Sequence, residues 1–135
     1  MVSRDTLVHL AALALGTGVL AAWLAITDGP MLPDGDLAPV GLAVVLTWYF
    51  VVFAGAHLYL AIRGEDGMVP SSARWRFVVA LGATLVLLGV GALLSAVDPV
   101  FGVPPEVPAI ATALAVFVAW FVYEARAGYR ERAPS

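Results

Sequence analysis

The chain has 135 residues, of which 61% are hydrophobic and 13% charged, with a formal charge of −3. A soluble domain carries about 25% charged residues, so the composition argues against an aqueous fold, and a net negative chain whose basic residues are all Arg is a poor nucleic-acid binder. Cys, Asn, Gln and Lys do not occur, which removes disulfides, thiol nucleophiles and thiolate metal sites.

Residues 6–27, 37–62, 77–97 and 107–123 contain no Asp, Glu or Arg. A hydrocarbon core about 30 Å thick needs about 20 helical residues, in a range of about 17–25, so each run reads as a transmembrane helix. None carries the polar stripe of a helix in a soluble bundle. None alternates as a barrel strand does. The expected fold is therefore all-α: an integral membrane four-helix bundle, up-down-up-down, in a single four-span domain. Its helices cover about 5–27, 38–63, 72–97 and 105–127, followed by a polar extension over 128–135.

The apolar run of helix 1 exceeds the roughly 7–15 residues of a signal-peptide core, and only Arg4 precedes it. Residues 1–27 are thus expected to stay in the mature chain. Asp28-Gly29-Pro30 ends the helix by turn chemistry. Pro39 suits the first turn of helix 2, whose centre, "TWYFVVF" (47–53), is bulky and aromatic; Gly64 is its expected C-terminal cap. Ser71 or Ser72 is the expected N-cap of helix 3, and Asp98-Pro99 its end. Helix 4 opens at Pro105 or Pro108 and runs into the polar "EARAGYRER". Trp23, Tyr59, Trp75, Tyr123 and Tyr129 fall near the expected interfaces, as aromatic belts do.

Charge sets an orientation. Arg4 precedes helix 1, Arg63, Arg74 and Arg76 join helices 2 and 3, and Arg126, Arg130 and Arg132 follow helix 4. The loops "DGPMLPDGD" (28–36) and "DPVFGVPPE" (98–106) carry no basic residue. By the positive-inside rule, both termini are expected to be cytoplasmic in a multi-pass protein of the cell membrane.

Lipid tails are as apolar as Leu, so membrane helices associate through close packing of small residues and a few hydrogen bonds. Gly16 and Gly18 in helix 1 and Gly89 and Gly91 in helix 3 are the expected contact glycines, and the Gly-x-Gly they share hints at a repeated hairpin. Small residues also recur four apart at Ala12/Gly16 and Ala14/Gly18/Ala22 in helix 1, Gly91/Ser95 in helix 3, and Ala109/Ala113 and Ala111/Ala115/Ala119 in helix 4, as they readily do in an Ala-rich chain. A knobby helix 2 against a glycine-lined helix 1 is the natural pair.

Two histidines remain to be explained. His9 lies five residues inward from Arg4 and His57 six inward from Arg63. At about 1.5 Å per residue, both sit roughly 7–9 Å below the same boundary. Such a pair on adjacent helices suits a b-type haem, with one axial ligand from each side. Arg74 and Arg76 would then approach the propionates, and Asp5, one turn before His9, would orient its other ring nitrogen. The plainer expectation is structural: imidazoles near an interface reach water or a neighbouring helix, and no cofactor is implied.

No nucleophile stands beside a base, and no phosphate loop, dinucleotide fingerprint or metal-hydrolase spacing occurs, so no enzyme is expected. A transport path shows costly polar groups at mid-depth; here the centre offers only threonines and Tyr49. By elimination, the reading is a non-catalytic subunit or scaffold of a larger or homo-oligomeric membrane assembly. Its partners are the bilayer and another membrane protein or a second copy. A haem-carrying anchor or electron-transfer subunit, and a small oligomeric transporter or channel, are the alternatives.

Overall fold

Helix α1 (Arg4–Thr27) begins where Ser3 leaves extended backbone and its Oγ accepts the Thr6 N–H at 3.2 Å, which satisfies one donor of the first turn. The helix ends at Asp28, whose φ of 52° is left-handed. In this computed structural model residues 1–29, 34–35 and 38–132 are described, the side chains of 129, 131 and 132 excepted. Pro30, the ring of Tyr129 and the end of the tail at 133–135 therefore lie outside the described residues. The chain divides into two units, Met1–Val78 and Val79–Ser135. Four helical stretches, Arg4–Thr27, Ala38–Ile62, Ser71–Leu94 and Glu106–Gly128, are long and apolar enough to cross a membrane.

The second stretch is not one regular helix. It runs as α2 (Ala38–Phe50), a π-helical turn (Val51–Gly55) and α3 (Ala56–Ile62). Pro39 sits in the first turn of α2, where its missing N–H leaves no intrahelical bond unmade. A π turn holds one residue more than an α turn, and that residue resets the helix face. Counting on from Trp48 and Val52 at about 3.6 residues per turn would bring Tyr59 inward. Instead Tyr59 is 44% exposed, Leu60 is fully buried, and Ala56 and Ala61 are buried beside it. His57 turns inward with them and packs on His9 and Phe77.

The end of α3 follows the sequence reading. Gly64 adopts φ 64°, its N–H bonds to Ala61 O, and the Glu65 N–H reaches back to Leu60 O. These two bonds form a Schellman motif, which needs a left-handed residue at the Gly64 position. The start of α4 (Ser71–Leu94) departs from it. Neither Ser71 nor Ser72 caps the helix. Asp66 does, accepting the Ser71 N–H at 2.7 Å from the preceding loop. The hydrogen bonds from Ser71 hold the Asp66 carboxyl below the ordinary aspartate range. A carboxylate takes this place better than a hydroxyl because it also opposes the positive end of the helix dipole.

In the first unit α1 packs on the second span. Gly16 is buried, and a Cβ placed on it would lie 2.5 Å from Val52 Cγ2 and 3.5 Å from the Trp48 ring. The knobby-on-smooth pairing thus holds at Gly16. It does not extend to Gly18, whose added Cβ would meet nothing within 4 Å. In the second unit Gly91 brings α4 against Ile110 and Ala109 of α5 (Glu106–Arg132), at 3.4 and 3.5 Å from an added Cβ. Gly89 is buried on the same helix. The connection between them closes in a two-residue turn, with Val100 and Val103 exchanging backbone bonds across Phe101 and Gly102, both at positive φ. α5 continues as helix to Arg132, through the stretch expected to be an extension.

Candidate functional site: a buried arginine between a carboxylate and an imidazole

Arg74 reads from sequence as an orientation charge and a candidate propionate contact. It lies in the first turn of α4, inside the expected helix, but is 1% exposed, the largest fully buried side chain among the described residues together with Leu60. A buried guanidinium needs its donors satisfied and its charge opposed, and both needs are met. Its Nη2 donates to Asp5 Oδ2 at 2.8 Å, its Nε donates to Val69 O at 3.1 Å, and its Nη1 approaches His57 Nδ1 at 3.4 Å. Three elements and a loop are thereby tied at one end of the first unit: α1 through Asp5, α3 through His57, α4 through Arg74 itself, and the loop through Val69.

The loop is shaped for this. A Cβ on Gly67 would fall 2.8 and 2.9 Å from the two Asp5 carboxylate oxygens, so any other residue there would push the carboxylate off Arg74. The neighbouring Met68 N–H also bonds to Asp5. Gly67 is thus part of the site because of the space it leaves open.

The histidines meet, as their matched depth suggests. Their ring centroids are 5.0 Å apart, with planes at 84°, and Phe77 contacts the His57 ring at the same centroid distance. His9 Nδ1 donates to the Asp5 backbone carbonyl at 2.6 Å, since a carbonyl can only accept. A proton is then on Nδ1. Asp5 therefore orients His9, but through its main chain; its carboxylate is engaged by Arg74. His57 is the opposite tautomer, with Nδ1 accepting from Arg74 and the proton on Nε2.

The expected haem contacts are placed differently. Arg74 is turned into the protein and joined to Asp5. Arg76 is only partly exposed. The two rings touch edge to face, whereas axial ligation sets a macrocycle between them. Thr6 bonds to Ser3 Oγ at 2.8 Å, and the Tyr59 hydroxyl accepts from Arg63 at 3.3 Å. Among the described residues no group of three His, Asp or Glu side chains could hold a metal ion.

A second charged group borders this one. Glu65 Oε1 takes Arg4 Nη1 at 3.0 Å and Arg63 Nε at 2.9 Å. The Glu65 carboxylate raises the Arg63 pKa, with help from Tyr59, whose ring lies 5.6 Å below the guanidinium.

Comparison with known proteins gives no match to a family model, a curated protein or a solved structure, so the site stands on its own geometry.

Proposed function

We propose that the chain is a non-catalytic subunit or scaffold of a membrane assembly, a four-span up-down-up-down bundle of the cell membrane with both termini cytoplasmic. The observation that carries the reading is the pair of smooth faces left open on two helices. Ala14, Gly18 and Ala22 on α1 are exposed at four-residue spacing, and so are Ala111, Ala115 and Ala119 on α5. Small residues at this spacing let a helix from another chain approach closely, where dispersion and weak backbone contacts hold it. Three threonines and the buried arginine support the same reading, because their bonds are made within their own structure. Thr27, Thr84 and Thr112 bond back to Trp23, Ala80 and Pro108 of their own helices, and the Arg74 cluster is closed by its partners. A conduit or catalytic site needs polar atoms held open at depth.

Extraction into lipid-retaining nanodiscs followed by native mass spectrometry tests it. The expected result is an assembly of fixed stoichiometry, with a second copy or another membrane protein, that loosens in Gly18→Leu and Ala115→Leu. A lone monomer at every concentration would overturn the reading.

A haem-binding role is the second reading, favoured by the shared depth of His9 and His57 and by the contact of their rings. It requires the rings to part and His57 to give up Arg74. A b-type band in a reduced-minus-oxidised spectrum, lost in both His9→Ala and His57→Ala, would establish it over the scaffold reading.

A further inference from the structure

Between α1 and the second span, within the first unit, lies an open apolar groove of about 590 Å³. Its floor is made of small residues, Ala11 and Ala12 from α1 and Gly55 and Ala56 from the π turn and α3. Leu15 and Phe50 close its deep end, and Leu7 and Tyr59 flank the shallow one. The π turn builds this floor. It sets Gly55 opposite Ala12, where an added Cβ would be 3.7 Å from the Ala12 methyl, and it turns the bulk of Leu60 away to the buried side.

Length and charge identify the occupant. From Arg4 to Leu15, at about 1.5 Å per residue, the groove runs roughly 16 Å. That is close to half of a hydrocarbon core about 30 Å thick, the depth of one leaflet. A helix from a partner would need a track across the whole core, and this track stops at the middle. The shallow end is basic. Arg4 and Arg63 share a single carboxylate oxygen of Glu65, and their side chains remain 57% and 51% exposed. Two guanidiniums against one carboxylate leave one positive charge and several N–H donors at headgroup level, a fit for phosphate.

We infer that the groove seats one anionic glycerophospholipid, an acyl chain lying between α1 and the π turn and the phosphate held by Arg4 and Arg63. The inference rests on the membrane placement proposed above but not on the scaffold role. An exposed apolar slot one leaflet deep excludes water poorly unless a chain fills it, and the basic rim selects which lipid does so. Arg4 lines the groove and Glu65 holds Arg63 beside it through one shared carboxylate oxygen, so the lipid meets a preset pair of donors.

The test uses the full chain in nanodiscs containing equal amounts of phosphatidylglycerol and phosphatidylcholine, with bound lipid counted by native mass spectrometry after release. One phosphatidylglycerol per chain is expected to survive release, in preference to phosphatidylcholine. Retention should fall about fivefold in Arg4→Gln and about as much in Arg63→Gln, the effect of one juxtamembrane arginine. Ala11→Phe fills the floor and should abolish retention with both arginines intact, while Leu93→Phe, an exposed change outside the groove, should leave it unchanged. Equal retention of the two lipids, or a phosphatidylglycerol signal indifferent to Ala11→Phe, would overturn the lipid site and leave the membrane placement standing. A chain that stays in the aqueous fraction would overturn both.

Discussion

The two units of the chain join their helices by different means. In Met1–Val78 a buried charge, two imidazoles and a capped loop are set by direction as well as distance, with Gly16 packing against Trp48 and Val52 further along. In Val79–Ser135 the helices meet by close packing at Gly91, against Ala109 and Ile110. Packing of small residues tolerates sliding and rotation, because dispersion depends weakly on angle. A buried guanidinium tolerates neither, because each lost bond leaves a desolvated donor. The first unit is therefore expected to be the more sensitive to register, and the experiments below either break that contrast or sharpen it.

The largest effect is expected from single-residue deletions in the two helices that meet. Deleting Leu13 from α1 rotates one end against the other by about 100°, so Gly16 and the Asp5–Arg74 pair can no longer engage together. Deleting Phe53 removes the extra residue of the π turn and leaves the faces on both sides in register. Unfolding in mixed micelles should show the Leu13 deletion more damaging than any point substitution and the Phe53 deletion well tolerated. Similar losses in the two would mean that the π turn does not set the position of His57.

Arg74→Ala follows, with an expected loss of about 3–5 kcal/mol, because it breaks a buried pair and leaves its partners uncompensated. The double change Asp5→Leu/Arg74→Met should recover most of that loss, since an apolar replacement of both partners carries no desolvation penalty. A double variant as unstable as the single one would show that the arginine's hydrogen bonds to Val69 and His57 matter more than its charge.

Gly16→Leu should destabilise by about 1–3 kcal/mol through overpacking against Val52 and Trp48, while Gly18→Leu should stay within about 0.5 kcal/mol for the isolated chain. A larger Gly18 effect in the assembly than in the monomer would locate a partner on that face. Phe101→Asn should stabilise by up to about 1 kcal/mol, since a bulky residue at positive φ is strained and Asn is not.

The smallest effect concerns pH. Asp66 titrates below its ordinary value because its ionised form accepts the bonds from Ser71. A carboxyl with a depressed folded-state pKa contributes stability in full above its unfolded value of about 3.9, and that contribution is lost as pH falls through the lower folded value. Between wild type and Asp66→Ala, the difference in α4 stability should be constant above about pH 5 and shrink below about pH 4. A difference that persists in acid would assign the cap to the loop backbone instead.

Much of the framework was legible because it depends on composition and local chemistry. Four apolar runs, Pro39 in a first turn, Gly64 as a left-handed cap and the Gly16 contact are properties of short stretches, and each appears where the residues put it. The shared depth of His9 and His57 was legible from counting alone. Arg74 was not, because an arginine a few residues outside an apolar run looks the same whether it faces water or an aspartate far away in sequence. One signal was present: Asp5 and Arg74 each stand in the first turn of a helix on the arginine-rich side, at the same depth and with opposite sign.

Sequence by itself determined that this is a helical protein with four stretches able to cross a membrane, since hydrophobic length needs no partner to be read. Only the tertiary structure decided which side of each helix is covered. The π turn at Val51–Gly55 adds a residue that no periodicity announces, and it turns His57 and Leu60 inward and Tyr59 outward. That choice depends on whether Arg74, Asp5 and two imidazoles can satisfy one another across the chain. The deciding energy is the desolvation of a charge, which takes its value from neighbours brought together by folding and not from the residues beside it.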